Sequence, residues 1–554
     1  MRIEYIVFKN IRENSMKKLF IILILILLMF VASCGAHKKV SETDEDTNIT
    51  ETACTEAETR CQGDLVQKCV NMVWKDGEDC STQDKTCLLK EGAATCVEKE
   101  VEDSIETEDN SQIPDVSEPD TSLEDDIEPY DEEQIVDDDI TNVLDEEQIV
   151  DDDNEATSYW IKQWGTGEGD SVHSLAIDSS GNMFVTGYTV GSFEGYTNVG
   201  KGDAFLTKWN SDGIKAWTKQ WGSPLNDYGQ SVAVDREGNV FVTGNTADSL
   251  DGHTSAGAKD AFLIKWNSDG KKAWTKQWGS PLHDYGESVV IDRDGNIFVI
   301  GNTYGNLDGN TNVGTMDIFL TKWNSDGTKA WTKQWSSPSD DPVRSVAIGS
   351  YGNIFVTGDT FGDLDGNTNA GANDIFLIKC NTAGTKVWTK LWGTSEYDYG
   401  RSVAVDSSGN IFVTGSTYGD LDGNVNAGTH DIFLTKWNAD GTKAWTKLWG
   451  TPACDSAGSV AIDSSGNVFV AGATNSDLDG QKNAGSYDVF LTKWNADGTK
   501  AWTKLWGTPG NDLGSSVATD RSGNVFIVGV SDGSFDGNTN AGSNDLFLIK
   551  TSGD

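Results

Sequence analysis

An all-β architecture, a closed seven-bladed β-propeller of four-stranded blades preceded by a small disulfide-rich module and a disordered acidic linker, is predicted by three observations. A Trp recurs every 57 residues, at Trp164, Trp221, Trp278, Trp335, Trp392, Trp449 and Trp506. Each interval holds four short β-forming runs separated by turn signals, as in SVAVD (231–235), NVFVTGNT (239–246), DAFLIKWN (260–267) and KKAWTKQW (271–278). The seventh unit reaches Asp554 without its fourth strand, and YWIKQW (159–164), which aligns with AWTKQW (216–221), supplies the missing one. Four strands over a long fixed period fit a propeller blade or a solenoid coil. A ring completed by its own first strand has no sheet edges, whereas a solenoid wants caps and none is visible.

Composition agrees and excludes some functions. With 87 acidic against 42 basic side chains the net charge is −45, which is wrong for a protein that neutralises phosphates, so no nucleic acid is expected as a partner. Sixty Gly, twenty Trp and nine Pro point to short strands and tight turns rather than a helical enzyme. The charge is uneven. Residues 101–157 carry 25 acidic side chains and no Lys or Arg, while 158–554 carry 29 basic against 45 acidic, a net −16.

The first element, residues 1–33, reads as an export signal whose true start is Met16: Lys17-Lys18, then an apolar run from Leu19 to Val31. Val31-Ala32-Ser33-Cys34 resembles the bacterial lipobox, which implies that Cys34 becomes the lipid-bearing N-terminus and that the lipid holds the chain on a membrane. A spanning anchor is the competing reading, but about a dozen apolar residues fall short of the ~20 needed to cross a bilayer. By the rule of that resemblance, Gly35 after the Cys goes with an outer membrane.

A polar linker (34–52) leads to a Cys-rich module at 53–98, where Cys54, Cys61, Cys69, Cys80, Cys87 and Cys96 are spaced C-x6-C-x7-C-x10-C-x6-C-x8-C. An even count in a short exported segment reads as three disulfides, with fifteen connectivities open; zinc would want close pairs such as C-x2-C. Residues 99–157 are the acidic tether, with DEEQIVDDD at 131–139 and again at 145–153. Its charge and poverty in apolar surface predict an extended, disordered spacer reaching roughly 190 Å at ~3.4 Å per residue. A cation-binding or cell-wall-contacting arm is the sharper alternative.

In residues 158–554 the unit D-x-x-x-S-V-A-V-D-x-x-G-N-x-F-V-T-G followed by D-x-F-L-x-K-W-N resembles the bacterial seven-bladed beta-propeller repeat (SBBP) family. The resemblance implies an extracytoplasmic surface or secreted protein and supplies no catalytic residue. One departure is LDGN, as at Leu364-Asp365-Gly366-Asn367, where the family has Asp-Phe-Pro.

Uniform polar positions are the first candidates for chemistry. An Asp stands six residues after each marker Trp, at Asp170, Asp227, Asp284, Asp341, Asp398, Asp455 and Asp512. Seven carboxylates at a channel mouth could bind cations; an identical residue in every blade equally suits a turn into the inner strand, the favoured reading. A second series, Asp203 and Asp260 through Asp545, precedes the third strand, with Lys208, Lys265 and their period mates five residues on. Turn capping is expected of the Asp, and a solvated or inter-blade position of the Lys.

The loop LDGNTNAG is the metal candidate: in the fifth unit Asp420, Asp422, Asn424 and Asn426 offer hard oxygen ligands suited to Ca²⁺, although the distal bidentate Glu of calcium loops is absent. No other cofactor is expected. His37, His173, His253, His283 and His430 occupy different positions of the unit and form no motif with Ser or Cys, so no enzyme is expected. Cys380 replaces a Trp and reads as a buried thiol, unlikely on spacing to bridge Cys454. The fourth unit breaks the pattern, with Ser336-Ser337 for Gly-Ser and Gly349 for an Asp.

The functional expectation is a cell-envelope lipoprotein, anchored in the outer membrane and exposed at the surface, that displays a monomeric propeller to bind a protein, peptide or polysaccharide. The alternative is a periplasm-facing assembly lipoprotein, with Ca²⁺ binding as a weaker third.

Overall fold

The computed structural model describes residues 159–535 and 537–554, together with the backbone of five short strands between residues 59 and 98. Cys34, Cys54, Cys80 and the acidic segment lie outside the described residues. In the N-terminal unit, Thr59–Gln62, Leu65–Val70 and Val73–Asp79 form an antiparallel three-stranded sheet, and Lys85–Lys90 pairs with Ala93–Glu98 in a register that sets Cys87 opposite Cys96.

Residues 159–554 fold into seven four-stranded antiparallel sheets. Blade 2 represents them: Asp227–Val234, Val240–Thr246, Asp260–Trp266 and Lys272–Trp278, in that spatial order. The innermost strands adjoin one another around a central channel, and Asp512–Thr519 of blade 7 meets Asp170–Ile177 of blade 1. Ring closure is as the sequence predicts. Trp160–Trp164 is the outer strand of blade 7 and pairs with Asp545–Ser552 from Leu546↔Trp164 to Lys550↔Trp160.

The middle strands are near-continuous apolar runs because both of their faces are covered by neighbouring blades. Val240, Phe241, Val242, Phe262, Leu263 and Ile264 are all at most 1 % exposed. Marker Trp residues join adjacent blades: Trp221 of blade 1 meets Trp266 of blade 2 with ring centroids 5.4 Å apart, and Trp164 meets Trp209 at 5.0 Å. In blade 4 Cys380 takes the place of the third-strand partner Trp (Trp209 and Trp266 in blades 1 and 2); it is a buried free thiol, which also excludes a bridge to Cys454. Burial pushes that thiol up to about 12, so it packs as a small apolar side chain.

A second stitch lies nearer the axis. Ser231 Oγ accepts the Val289 amide at 3.2 Å, with equivalents at Ser174–Val232, Ser288–Val346, Ser345–Val403 and Ser402–Val460, and Ser516–Leu175 continues it across the closure. Inner strands splay too far apart to pair with each other, so these hydroxyls satisfy amides that would otherwise be buried without partners.

Candidate functional site at the channel mouth

Each inner strand contains one β-bulge, between Gly229 and Ser231 in blade 2 and at the equivalent place in the other six. A bulge adds one residue outside the ladder and re-aims its side chain. The bulged residues are His173, Gln230, Glu287, Arg344, Arg401, Gly458 and Ser515, and all seven line one cavity of about 600 Å³ in the channel. The repeat is nearly invariant in its core but differs here from blade to blade. A position that structure leaves free has thus become a ring of different chemistries.

Above the bulges the mouth is aromatic. Tyr188 contacts Tyr228 at 4.7 Å, Lys259 Nζ lies 5.1 Å from the centroids of both Tyr228 and Tyr285, and Tyr418 stacks on His430 at 4.8 Å with planes 20° apart. Arg401 lies over Tyr399, Cζ to centroid 5.2 Å. Eight of the thirteen Tyr (188, 228, 285, 304, 397, 399, 418 and 487) belong to this end of the inner and second strands or to the segments leading into them.

Charge concentrates on one side. Asp359, on the second strand of blade 4, is 1 % exposed, faces both Arg344 and Arg401, and accepts Asn373 Nδ2 on Oδ2 at 2.9 Å. Burial raises its carboxyl and the two guanidinium groups oppose the rise. Burial likewise raises Glu287 against the pull of Arg344 and Lys259. Arg401 is lowered to about 10 by burial and by Arg344, and His430 is lowered to about 4 by burial and by Arg401, which keeps its ring neutral. Asp359 Oδ1, Arg344 Nε and His430 Nδ1 are buried atoms without a hydrogen-bond partner.

One histidine lies near a serine without completing a catalytic motif. Ser171 Oγ is 3.5 Å from His173 Nε2, while His173 Nδ1 donates to Gly229 O at 3.0 Å. With a backbone carbonyl in the orienting place and a long first contact, the pair lacks the acid that supports a nucleophilic serine.

The uniform Asp ring lies elsewhere than the open mouth. Its seven members are at most 2 % exposed, and each accepts a backbone amide four residues back, as in Ser223 N to Asp227 Oδ2 at 2.6 Å. Each such bond spans the turn that leads into the inner strand. What the sequence did not show is that each ring Asp lies beside a carboxylate of the second series. A Cβ added to Gly222 would stand 2.3 Å from Asp203 Oδ1 and 3.0 Å from Asp227 Oδ2, and the same holds for Gly279 between Asp260 and Asp284. Six of the seven equivalent positions are Gly, and the fourth unit carries Ser336 there. Asp203 also caps its loop, accepting the Val199 amide. Lys208 lies over the Phe184 ring at 5.2 Å, its directly opposed neighbour, so these lysines cover phenylalanines instead of pairing with Asp.

In the LDGN loop the four candidate ligands do not converge. Asp422, held at φ 51°, accepts Lys443 Nζ at 2.8 Å and Thr446 Oγ1 at 2.5 Å; Asp420 accepts the Asn426 amide; Asn424 donates to Leu421 O, and Asn426 donates to Thr417 O. Among the described residues no group of three or more His, Cys, Asp or Glu is placed to hold a metal ion. Asp422→Ala is expected to cost about 1 kcal/mol, since a half-exposed ion pair contributes little and a β-carbon at positive φ favours Asp or Asn. Chelator should leave the melting temperature of the parent unchanged; a fall of several degrees would restore Ca²⁺ to this loop.

Gly349 opens a second cavity of about 430 Å³ at the opposite end of the channel, with Arg293, Tyr351 and Thr382 among its walls. In blade 2 the equivalent Asp235 accepts both the Asn239 amide and Asn239 Nδ2; Gly349 has no side chain to do so.

Residues 160–194, 216–250, 273–308, 387–422, 444–479 and 501–536 match the family profile described as SBBP, Beta-propeller repeat. The Regulatory protein FlaEY of Caulobacter vibrioides is 30% identical over 250 residues, 40% of this chain and 26% of that protein. An uncharacterized WD repeat-containing protein of Acanthamoeba polyphaga mimivirus is 23% identical over 438 residues, 60% of this chain and 31% of that one. The chain therefore spans less than a third of the length of these curated relatives. Among solved structures, a protein of unknown function from Bacteroides caccae aligns at 15% identity and a TM-score of 0.33, over 57% of this chain and 94% of that one. The Neurospora crassa Pan2 WD40 domain aligns at 9% and 0.39, over 69% and 89%. Residues 159–554 are thus a closed seven-bladed propeller in which six repeats match the SBBP, Beta-propeller repeat, profile.

Proposed function

We propose that this propeller is a non-enzymatic binding module whose ligand enters the tyrosine-lined channel mouth. The observation that carries the reading is the bulge ring: seven structurally equivalent positions hold His, Gln, Glu, Arg, Arg, Gly and Ser, while the surrounding core repeats almost unchanged. A repeat that served only as a spacer would have no use for such variation. Relatives named as a regulatory protein and a WD repeat-containing protein accord with a scaffold that binds. Cys34 as a lipid attachment site and the acidic tether would carry the module at the outer membrane, facing outward.

Two measurements test this. Ser515→Tyr fills the lumen from an inner strand and should abolish binding of any ligand found by glycan and peptide screening of the full chain, with melting temperature within ~2 °C of the parent. Unimpaired binding would place the site elsewhere. Protease applied to intact cells should remove the propeller; survival until the outer membrane is permeabilised would favour the periplasm-facing alternative.

A further inference from the structure

We propose that the turn at 349–353 in blade 4, at the end of the channel opposite the mouth, binds a carboxylate: the CH₂–COO⁻ group of an aspartyl side chain or of a small organic acid. The inference goes beyond the binding reading above and concerns a separate site.

Six blades supply the template. At the turn between inner and second strands, one oxygen of an Asp accepts the amide of the Asn four residues on, and the other accepts that Asn's Nδ2. Every one of these bonds is 2.7–2.9 Å long, from Asp178 with Asn182 to Asp520 with Asn524. In five of the six the amide two residues on donates as well, as Ser180 N does to Asp178 at 2.8 Å. Three N–H groups thus converge on one carboxylate.

Blade 4 keeps the donors and replaces the acid. Gly349 takes the Asp position, yet the turn has the same backbone: Gly352 is at φ 78°, against 79° for Gly181 and 80° for Gly238. Gly349 N donates to Asn353 O at 2.8 Å, as Asp235 N does to Asn239 O at 2.9 Å. The amides of Tyr351 and Asn353 are therefore held as their counterparts are, with Asn353 Nδ2 on the same residue. Among the described residues none of these three donors has an acceptor. Converging N–H groups on a rigid turn are suited to an anion, and a charged acceptor makes the stronger bonds.

The surroundings admit a ligand. The cavity of about 430 Å³ opens on Gly349 and Tyr351, with Ile291, Ile348 and Thr382 among its other walls. A Cβ on Gly349 would meet nothing closer than 3.3 Å, so crowding does not exclude an acid group there. Asp292 and Asp294 also line the cavity, with Arg293 between them. That set does not forbid a further carboxylate: Asp292 is itself held by its own turn, one period after Asp235, Arg236 and Glu237, which carry the same charges. It does favour a monoanion over a dianion such as sulfate.

The test is saturation-transfer NMR of the full chain, titrated at constant ionic strength with acetate, acetamide and N-acetyl-aspartyl amide, with sulfate as competitor. Acetate should give a saturable signal, and acetamide, which lacks the charge, should bind about tenfold more weakly or worse. Gly349→Asp supplies the acid from the chain itself, so it should abolish the acetate signal and raise the melting temperature. Asn353→Ala should weaken acetate about tenfold with the melting temperature within ~2 °C of the parent, whereas Asn239→Ala, which breaks an occupied turn, should lower it. Ser515→Tyr, at the mouth, should leave acetate binding unchanged, which separates this site from the one proposed above. Tighter binding of N-acetyl-aspartyl amide than of acetate assigns the carboxylate to a peptide partner; equal or weaker binding assigns it to free acids. No acetate signal, a signal that persists in Gly349→Asp or is lost in Ser515→Tyr, acetamide binding as tightly as acetate, or displacement by equimolar sulfate would each overturn the proposal.

Discussion

Asp227→Asn is expected to raise the melting temperature at pH 8, a stabilisation produced by deleting a charge. Asp227 is fully buried, its Oδ2 accepts Ser223 N and Oγ, and its Oδ1 has no partner; Asp203, also with an unpartnered Oδ1, lies across Gly222 from it. Burial pushes the Asp227 carboxyl up to about 6, against the hydrogen bonds it accepts, and Asp203 adds to the rise. A folded-state value above the unfolded one means that ionisation is penalised only in the fold. The associated stability is full below pH ~4 and is lost as pH rises through ~6. Two units correspond to about 3 kcal/mol, an upper figure because the two carboxylates titrate together. Asparagine keeps an acceptor for Ser223 and turns an NH₂ toward Asp203.

The same junction recurs around the ring. Asp170 and Asp398 are also pushed up to about 6, and Asp284, Asp341, Asp455 and Asp512 are raised, all chiefly by burial. The propeller should therefore melt on the order of 10 °C higher at pH 5 than at pH 8. Performing the comparison in 0.5 M NaCl screens the surface repulsion of an acidic protein but not the buried pairs. The gain reverses below pH ~4, where Asp251 and Asp308, held low by Lys272 and Lys329 in spite of burial, begin to protonate. A flat profile between pH 8 and pH 5, or a lower melting temperature for Asp227→Asn, would refute this account of the junction.

These junctions also show what could be read from the chain. The blades, their number and the closing strand were legible because apolar alternation, turn residues and a marker Trp recur with one period. The regular polar positions carry structure: Asp170 and its mates are uniform because every blade makes the same turn. The mouth residues sit at the letter before Ser in D-x-x-x-S-V, a position the repeat leaves blank. Sequence gives no sign that this letter is a bulge, since Gly229 precedes it in blade 2 but Val172 does in blade 1. What was available is the variation itself, from His173 to Ser515. In the LDGN loop the partners of Asp422, Lys443 and Thr446, lie on the next-but-one strand, beyond what the loop's own residues display. The fourth unit departs from the others in the sequence itself, at Ser336 and Gly349. Its Gly349 opens the second cavity, and its Arg344 and Asp359 carry the mouth.

Deleting residues 159–165 is expected to abolish cooperative folding of the propeller, the largest effect foreseen for any short change. The segment contributes five ladder positions to Asp545–Ser552, and Trp164, 8 % exposed, fills the blade 7 to blade 1 interface against Trp209. Gln163 adds bonds that no other side chain replaces, accepting the Phe535 amide at 2.9 Å and donating to Gly533 O at 2.8 Å. Losing Trp164 alone should cost about 3–5 kcal/mol, as in other buried Trp→Ala changes. Losing the strand does more, because Asp545–Ser552 becomes an open edge of apolar residues able to pair with another chain. Dimers or aggregates should appear in light scattering. A chain beginning at residue 158 should melt like the full-length protein, because the described ladder of blade 7 begins at Trp160. A peptide of sequence YWIKQWG, added to the deleted chain during refolding, should restore part of the monomeric, cooperatively melting species. If the chain without residues 159–165 melts as a monomer within a few degrees of the parent, closure by this strand contributes little, and blade-to-blade contacts such as Ser231–Val289 must hold the ring alone.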